Sequence, residues 1–517
     1  MRLSVVLLGL VGCTTPDKGP APDPDAPDPA DEAAWAELSA RIEAQLADEE
    51  VPGMQVSVVL DGALAYTGGW GIRAYPEGDA AAEPVTPDTL FRWASVTKMH
   101  TAAAVLQLAE EGAVDLDAPI TDHLDVSLAP GFDASALTAR HLLTHTAALP
   151  DVLDWYCPTR DDALQTYVED WHPPLYGPPG AFYNYSNSGY TWLGALLEVV
   201  DGATYDVVMH DRILGPSGME GATLDGAAAA AVEDHATGNG WWAGEQYTYP
   251  LDEADCGPSR PAAWLHATAA DLARTAEWQL AGGGDLLSEA SVTAMHAQSD
   301  THFWPDGAYE VGMGQFSFPY DDLDVVFHDG WVTGFVSAWA IVPGTGFGVA
   351  VVANADWADP YAVMYDALSL FLGANGDSWP EVATDPDTWD AYVGTYEDPY
   401  VFGTVDVTRD GGRLTAELVD TGETLRLTQV SGDYFWADSD DYGGLDVRFI
   451  QDESGAYTWF VTRPGVAARV DVAALAPEAA PPPASPDAGR AALRRYARPR
   501  VPGRPPLGLV GVPVGPR

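Results

Sequence analysis

The 517 residues are 47% hydrophobic and include 18 Trp, 22 Tyr and 14 Phe, too apolar for a disordered chain and enough for more than one packed unit. Asp and Glu number 77 against 24 Lys and Arg, a formal charge of -53, which disfavours nucleic acids and anionic membrane surfaces as partners. No CxxC or HExxH spacing occurs, and no GxGxxG or Walker loop stands in a fitting context, so neither a metal nor any other cofactor is expected.

The chain opens with MRLSVVLLGLVGC, one basic residue and a short apolar run ahead of Cys13, which resembles a bacterial lipoprotein signal over residues 1–13. The run is too short to cross a bilayer as a helix. On this reading Cys13 carries lipid and holds the protein to the cell envelope, extracytoplasmic, at the outer membrane or in the periplasm. Residues 14–32 are rich in Pro and Asp and read as a flexible tether.

A first domain is expected over residues 33–375. Residues 33–49 have a helical apolar rhythm, and QVSVVLDGALAYTGGWG after them reads as two strands around an Asp61-Gly62 turn. Val96 to Glu110 reads as a buried helix. HLLTHTAAL, YTWLGALLEVV and TYDVVMHDRIL look helical over much of 137–214. Residues 268–283 carry a Thr start, an Asp three positions on and a Gly-Gly end, the marks of a capped helix. Strand-like runs return between 323 and 355, so strands at both ends with helices between suggest one mixed sheet built from distant segments. Cys157 and Cys256 either pair in an oxidising compartment or stand as two thiols. After a compositional break at 376–388, short strands and turns read as a small β-rich domain over 386–475, and 476–517 as a Pro/Arg-rich flexible tail.

Within RWASVTKMH, Ser95 and Lys98 lie three apart, on one face of a helix, where an amine of lowered proton affinity can activate a hydroxyl. The spacing alone is equally that of a helix cap and a surface charge. Tyr185 and Asn187 in YSN pair a proton relay with a non-titrating amide, and His328 in HDGWVTGF stands beside a strand that offers backbone N–H groups. Taken singly, these also read as an ordinary turn and a strand-edge residue.

Together with TPDTLFRWASVTKMHTAAAVLQLAEEGAVDLDAPI, LTARHLLTHTAALP, PPGAFYNYSNSGYTWLGALLEVV and ILGPSGME, the three elements resemble the serine beta-lactamase and penicillin-binding-protein superfamily, in its class C-like branch, over roughly residues 45–370. The resemblance implies an α+β fold: an α/β sandwich with an antiparallel sheet and an all-helical subdomain, followed here by a small β-barrel-like domain. It implies Ser95 as acylated nucleophile, which can also cap its helix, and Lys98 as its proton acceptor. Tyr185 becomes the proton exchanger, Asn187, His328 and Gly330 the substrate-binding residues, and the N–H groups of Ser95 and Trp331 an oxyanion hole. The implied activity is serine-type hydrolysis, through an acyl-enzyme, of small esters or of peptide bonds next to D-amino acids, with peptidoglycan-derived peptides among the candidates. A class C-like beta-lactamase and a non-catalytic envelope binding protein are the rivals.

Two departures bear on substrate. His328 stands where the family's beta-lactamases generally carry lysine, so its charge is expected to be partial and pH-dependent. Ala263 and Trp264 in PAAWLHATAADLAR replace glycines and reshape a turn near the pocket. His141 and His145 read as structural, and Asp151 and Asp154 as parts of a rim loop. WDAYVGTYEDP opens the second domain and resembles the lipocalin-like module appended to some of these hydrolases, which either shapes the site entrance or acts as a spacer.

Overall fold

Asp61 at φ 51° and Gly62 at 78° give two successive left-handed residues, the geometry of a tight hairpin turn that keeps the twist of its strands. They join β1 (Gly53–Leu60) to β2 (Ala63–Ala74), the hairpin expected from sequence. The computed structural model describes residues 29–76, 81–151, 159–242, 245–249, 256–296, 303–304, 309–375, 384–439, 444–452, 454–463 and 465–470. Cys13, residues 14–28 of the tether, Asp154, Cys157 and the Pro/Arg-rich tail lie outside them, whereas residues 29–32, read as the end of the tether, form the first turn of the helix Pro29–Asp48. Cys256 is disulfide-bonded.

The same sheet contains β3 (Glu83–Pro84), β4 (Glu310–Val311), β5 (Phe316–Tyr320), β6 (Leu323–Val332), β7 (Phe335–Val342) and β8 (Phe347–Ala353). Its order is β3-β2-β1-β8-β7-β6-β5-β4. Every neighbouring pair is antiparallel, as the family resemblance implies and not mixed as the strand spacing suggests. The central strands β7 and β8 are buried along their whole length because helices cover both faces.

Helix α1 (Pro29–Asp48) and the later α5 (Pro360–Leu372) pack together on one side, and α4 (Ala269–Leu280) lies on the strands from the other. Thr268 and Asp271 form the reciprocal N-terminal cap of α4 that their spacing announced. The helical subdomain is built on α2 (Thr97–Glu110) and α3 (Asn187–Asp201). HLLTHTAAL departs from expectation: helix stops at Leu143, and positive φ at His145 (56°) and Ala148 (54°) turns the chain back toward the site.

Eight further strands, β9 (Gly394–Asp398), β10 (Gly403–Asp410), β11 (Arg413–Leu418), β12 (Glu423–Ser431), β13 (Tyr434–Asp438), β14 (Leu445–Gln451), β15 (Tyr457–Thr462) and β16 (Val466–Arg469), close into a barrel. Alternate residues such as Tyr396, Val405, Val407, Phe435 and Phe449 fill its interior. Tyr434, Trp459, Val461 and Val466 instead join the core of the larger unit, so the barrel is packed onto it.

Candidate active site

The turn before α2 is held from several sides. Trp93 N–H donates to Leu265 O at 2.8 Å, and Ser337 Oγ on β7 donates to Trp93 O at 2.8 Å. Leu265 N–H donates to Thr97 Oγ1 at 3.0 Å, and that hydroxyl donates to Ala94 O at 2.5 Å. Ala94 sits at φ 50°, a strained value for a residue with a Cβ, immediately before Ser95. Val96 occupies the cap position with no side-chain cap bond, so Ser95 does not cap the helix as its position had suggested. Its hydroxyl faces Lys98 instead.

Lys98 is fully buried, with Nζ 3.2 Å from Ser95 Oγ, 2.6 Å from Asn187 Oδ1 and 2.8 Å from Ala262 O. Burial holds its proton affinity well below that of an ordinary lysine; Asp151 and Asp329 oppose that effect and Arg463 adds to it. A neutral amine fits these contacts well. Its two hydrogens go to the two closer oxygens, and its lone pair is left for the hydroxyl of Ser95.

The YSN segment enters α3. Ser186 caps the helix by accepting from Gly189 N–H at 3.1 Å, and its own N–H donates to His145 Nδ1 at 3.1 Å. That bond fixes the proton of neutral His145 on Nε2. Burial, with the Arg463 charge adding to it, holds the imidazole well below its usual pKa, and its ring stacks on Tyr185 at 4.3 Å between centroids. The Tyr185 hydroxyl is buried beside Ser95 without a hydrogen bond of normal geometry, and burial raises its pKa. Asn187 accepts from Lys98 at Oδ1 and donates from Nδ2 to Asp151 Oδ2 at 2.9 Å, so its amide is held at both atoms.

On β6, His328 Nδ1–H donates to Asp329 O at 2.6 Å, leaving Nε2 as the acceptor nitrogen. The ring is fully buried, and burial holds its pKa well below the usual histidine value. His328 is therefore neutral near pH 7, which corrects the partial charge expected from its type. Gly330 is required by proximity: a Cβ there would lie 2.3 Å from Trp93 O and 2.4 Å from Ser337 Oγ. The two-residue turn after Val332 pairs it with Phe335, and the alternation along the ladder directs the Trp331 N–H away from β7. Strand β5 pairs with β6 only as far as Phe327, short of that position.

The turn PAAWL lies directly on this machinery. Ala262 O accepts from Lys98, and Trp264 pairs with Ala94 in an isolated bridge while its ring carries the Arg92 guanidinium at 3.6 Å. Trp264 thus lies beside the Ser95 turn.

The Beta-lactamase family model matches residues 38–370, and a domain of unknown function (DUF3471) matches 379–474. The chain belongs to the beta-lactamase family. This beta-lactamase-family protein is a serine-type hydrolase, and it is 28% identical to penicillin-binding protein 4 of Amycolatopsis lactamdurans over 69% of its own length and 94% of that relative. It is 27% identical to the unguisins hydrolase of Aspergillus campestris over 60% of each chain. Among solved structures, SurE superposes with a TM-score of 0.69 at 26% identity, covering 85% of this chain and all of SurE. The octameric penicillin-binding protein homologue from Pyrococcus abyssi, at 23% identity and a TM-score of 0.59, shares the fold over 84% of this chain and 100% of its own.

Three residues around this beta-lactamase-family site were missed or discounted in the sequence. The sequence puts Asp151 on a rim and His145 in the framework, whereas one binds Asn187 and the other stacks on Tyr185. Arg463, from the barrel turn after β15, lies over the Tyr185 ring at 4.4 Å. No local motif marks it, because only the packing of the two units brings it there.

Proposed function

We propose that this enzyme hydrolyses esters, or peptide bonds adjacent to D-amino acids, through an acyl-enzyme on Ser95. The observation that carries the reading is the buried Lys98 amine 3.2 Å from Ser95 Oγ, in surroundings that favour its neutral form. Lys98 accepts the Ser95 proton as Oγ bonds to the carbonyl carbon. The N–H groups of Ser95 and Trp331 stabilise the oxyanion, a contribution of about 3 kcal/mol per donor in comparable sites. Tyr185, kept protonated by burial, hands its proton to the leaving amine or alcohol as the scissile bond breaks, and is recharged through Lys98. Water then attacks the ester, and Ser95 recovers its proton.

Asn187 holds Lys98 in position, and His328 with Gly330 forms the wall along the acyl group. Similarity to a penicillin-binding protein supports a small D-aminoacyl or ester substrate, with peptidoglycan-derived peptides as the finer choice. Initial rates on p-nitrophenyl acetate and butyrate, D-alanyl-D-alanine peptides and nitrocefin, beside Ser95→Ala, test the reading. Ser95→Ala is expected to lose at least about a thousandfold in kcat; unchanged turnover would sink the proposal. The lipoprotein-like segment ahead of Cys13 supports a cell-envelope location through lipid on that residue, and palmitate incorporation that survives Cys13→Ala would remove that part.

A further inference from the structure

The segment that delivers Tyr185 has no regular structure of its own. From Trp171 to Ser186 the chain forms neither helix nor strand, and Gly-Pro-Pro-Gly at 177–180 interrupts any ladder it could join. Its backbone is tied to the turn that follows Leu143: Tyr176 N–H donates to Ala148 O at 2.9 Å, Gly180 N–H to Thr146 O at 2.7 Å and Asn184 N–H to His145 O at 2.7 Å. These bonds set the path of the chain, and the side chains are fixed from elsewhere.

Two of those side chains go to the barrel. The Tyr176 hydroxyl donates to Asp398 Oδ1 at 3.3 Å, and its ring meets Tyr400 edge-on at 5.6 Å. Asp398 is fully buried at the end of β9 and is aimed by its own turn, accepting from the N–H groups of Tyr400 at 2.9 Å, Val401 at 3.2 Å and Phe402 at 3.3 Å. Phe182, three residues before Tyr185, packs on Trp459 of β15 at 5.5 Å between centroids. A Cβ on Gly177 would lie 2.8 Å from the Phe182 ring and 3.6 Å from that of Trp459, so glycine lets the two rings close up against the chain. The Trp459 indole N–H is buried without a hydrogen bond among the described residues, so Trp459 meets the segment through its ring.

We propose that the barrel is a positioning element for the reaction: Trp459 and Asp398 hold the 176–185 segment so that the Tyr185 hydroxyl stands where the leaving group departs. This rests on the serine-hydrolase reading above. In the step concerned, the bond from the carbonyl carbon to the leaving oxygen or nitrogen breaks and that atom takes the Tyr185 proton. The tyrosinate is then reprotonated with the proton that Ser95 gave to Lys98. A displacement of about 1 Å costs such a transfer up to about a hundredfold, so contacts that remove play from an irregular segment act directly on the rate.

The test measures kcat/KM of the full chain on p-nitrophenyl butyrate and ethyl butyrate, one acyl group with two leaving groups. p-Nitrophenolate leaves without a proton near neutral pH and ethoxide does not. The ratio of the two rates therefore reads proton delivery and is blind to how much of the enzyme is folded. Tyr185→Phe sets the scale and is expected to raise the p-nitrophenyl to ethyl ratio about 100-fold. Trp459→Leu should raise it about tenfold, and Trp459→Phe, which keeps a ring, should recover most of that change. Tyr176→Phe, which removes only the hydroxyl that meets Asp398, should raise it about threefold, and it decides alone if Trp459→Leu does not fold. A wild-type ratio in Trp459→Leu and Tyr176→Phe beside a raised one in Tyr185→Phe overturns the proposal, since the barrel contacts would then carry stability only. An unchanged ratio in Tyr185→Phe would instead be a failure of the tyrosine relay, and absence of Ser95-dependent turnover a failure of the hydrolase reading; the proposal falls with either.

Discussion

Asp151 accepts two bonds from Asn187: the backbone N–H to Oδ1 and the side-chain Nδ2 to Oδ2, each at 2.9 Å. The pair fixes the amide whose oxygen holds Lys98, and the Asp151 charge simultaneously favours the ammonium form of that lysine. Asp151→Ala therefore has two separable consequences. Loss of positioning should lower kcat about tenfold or more, the size of one hydrogen bond to a charged group. Loss of the negative charge should lower the Lys98 pKa further, moving the acid limb of the pH-rate profile to lower pH. A limb that moves to higher pH would contradict the electrostatic assignment.

Gly330→Ala probes the closeness of β6 to the nucleophile turn. The new Cβ would meet Trp93 O, Ser337 Oγ and, at 2.9 Å, Ala94 Cβ, and the first of these is backbone. Overpacking should cost about 2 kcal/mol in urea unfolding. Turnover should fall further than stability, because relief requires Trp93–Ser95 to move. A variant with wild-type stability and rate would show that the approach is looser than described.

His145 joins the Ser186 N–H to the Tyr185 ring. In His145→Phe the ring contact persists but that N–H loses its acceptor in a buried site, at about 1–3 kcal/mol. His145→Asn keeps an acceptor and tolerates the left-handed backbone, so it should recover most of the stability while lacking the stack on Tyr185. Thermal unfolding of the two variants should rank them in that order, and the reverse order would refute the role given to Nδ1.

Asp398 reports on the junction between the units. Burial lifts its pKa from 3.8 to about 6, although three backbone N–H groups and the Tyr176 hydroxyl oppose the shift. The folded state thus holds a proton that the unfolded chain releases near pH 3.8, so stability present at low pH is lost as pH rises toward 6 and beyond. The full loss is roughly 3 kcal/mol. Asp398→Asn, which does not titrate, should be matched with the wild type near pH 4 and gain on it by pH 7 in urea midpoints. Parallel stability curves for the two proteins would reject the buried, protonated junction.

Much of the fold was legible because its signals are local. Asp61-Gly62 needs only its own backbone freedom to make a hairpin, and Thr268 with Asp271 closes a cap within one helical turn. Antiparallel pairing throughout the sheet is legible from the family motifs but not from strand spacing, since β1 reaches β8 across nearly the whole first domain. The overlong helix read into HLLTHTAAL shows the limit of apolar rhythm. His145 and Ala148 are ordinary residues that surrounding contacts hold at positive φ.

The sequence by itself determined which groups meet at the start of α2: Ser95 in the turn ahead of the helix and Lys98 in its first turn are close in the chain and lie on one side of it. Tertiary structure alone decided their charge and company. Burial, not residue type, holds Lys98 and His328 low, and the Asp151 and Arg463 charges reach Lys98 only when distant segments pack around it. Proton affinity is a property of the surrounding dielectric and field, and these exist only once the chain has closed around the site.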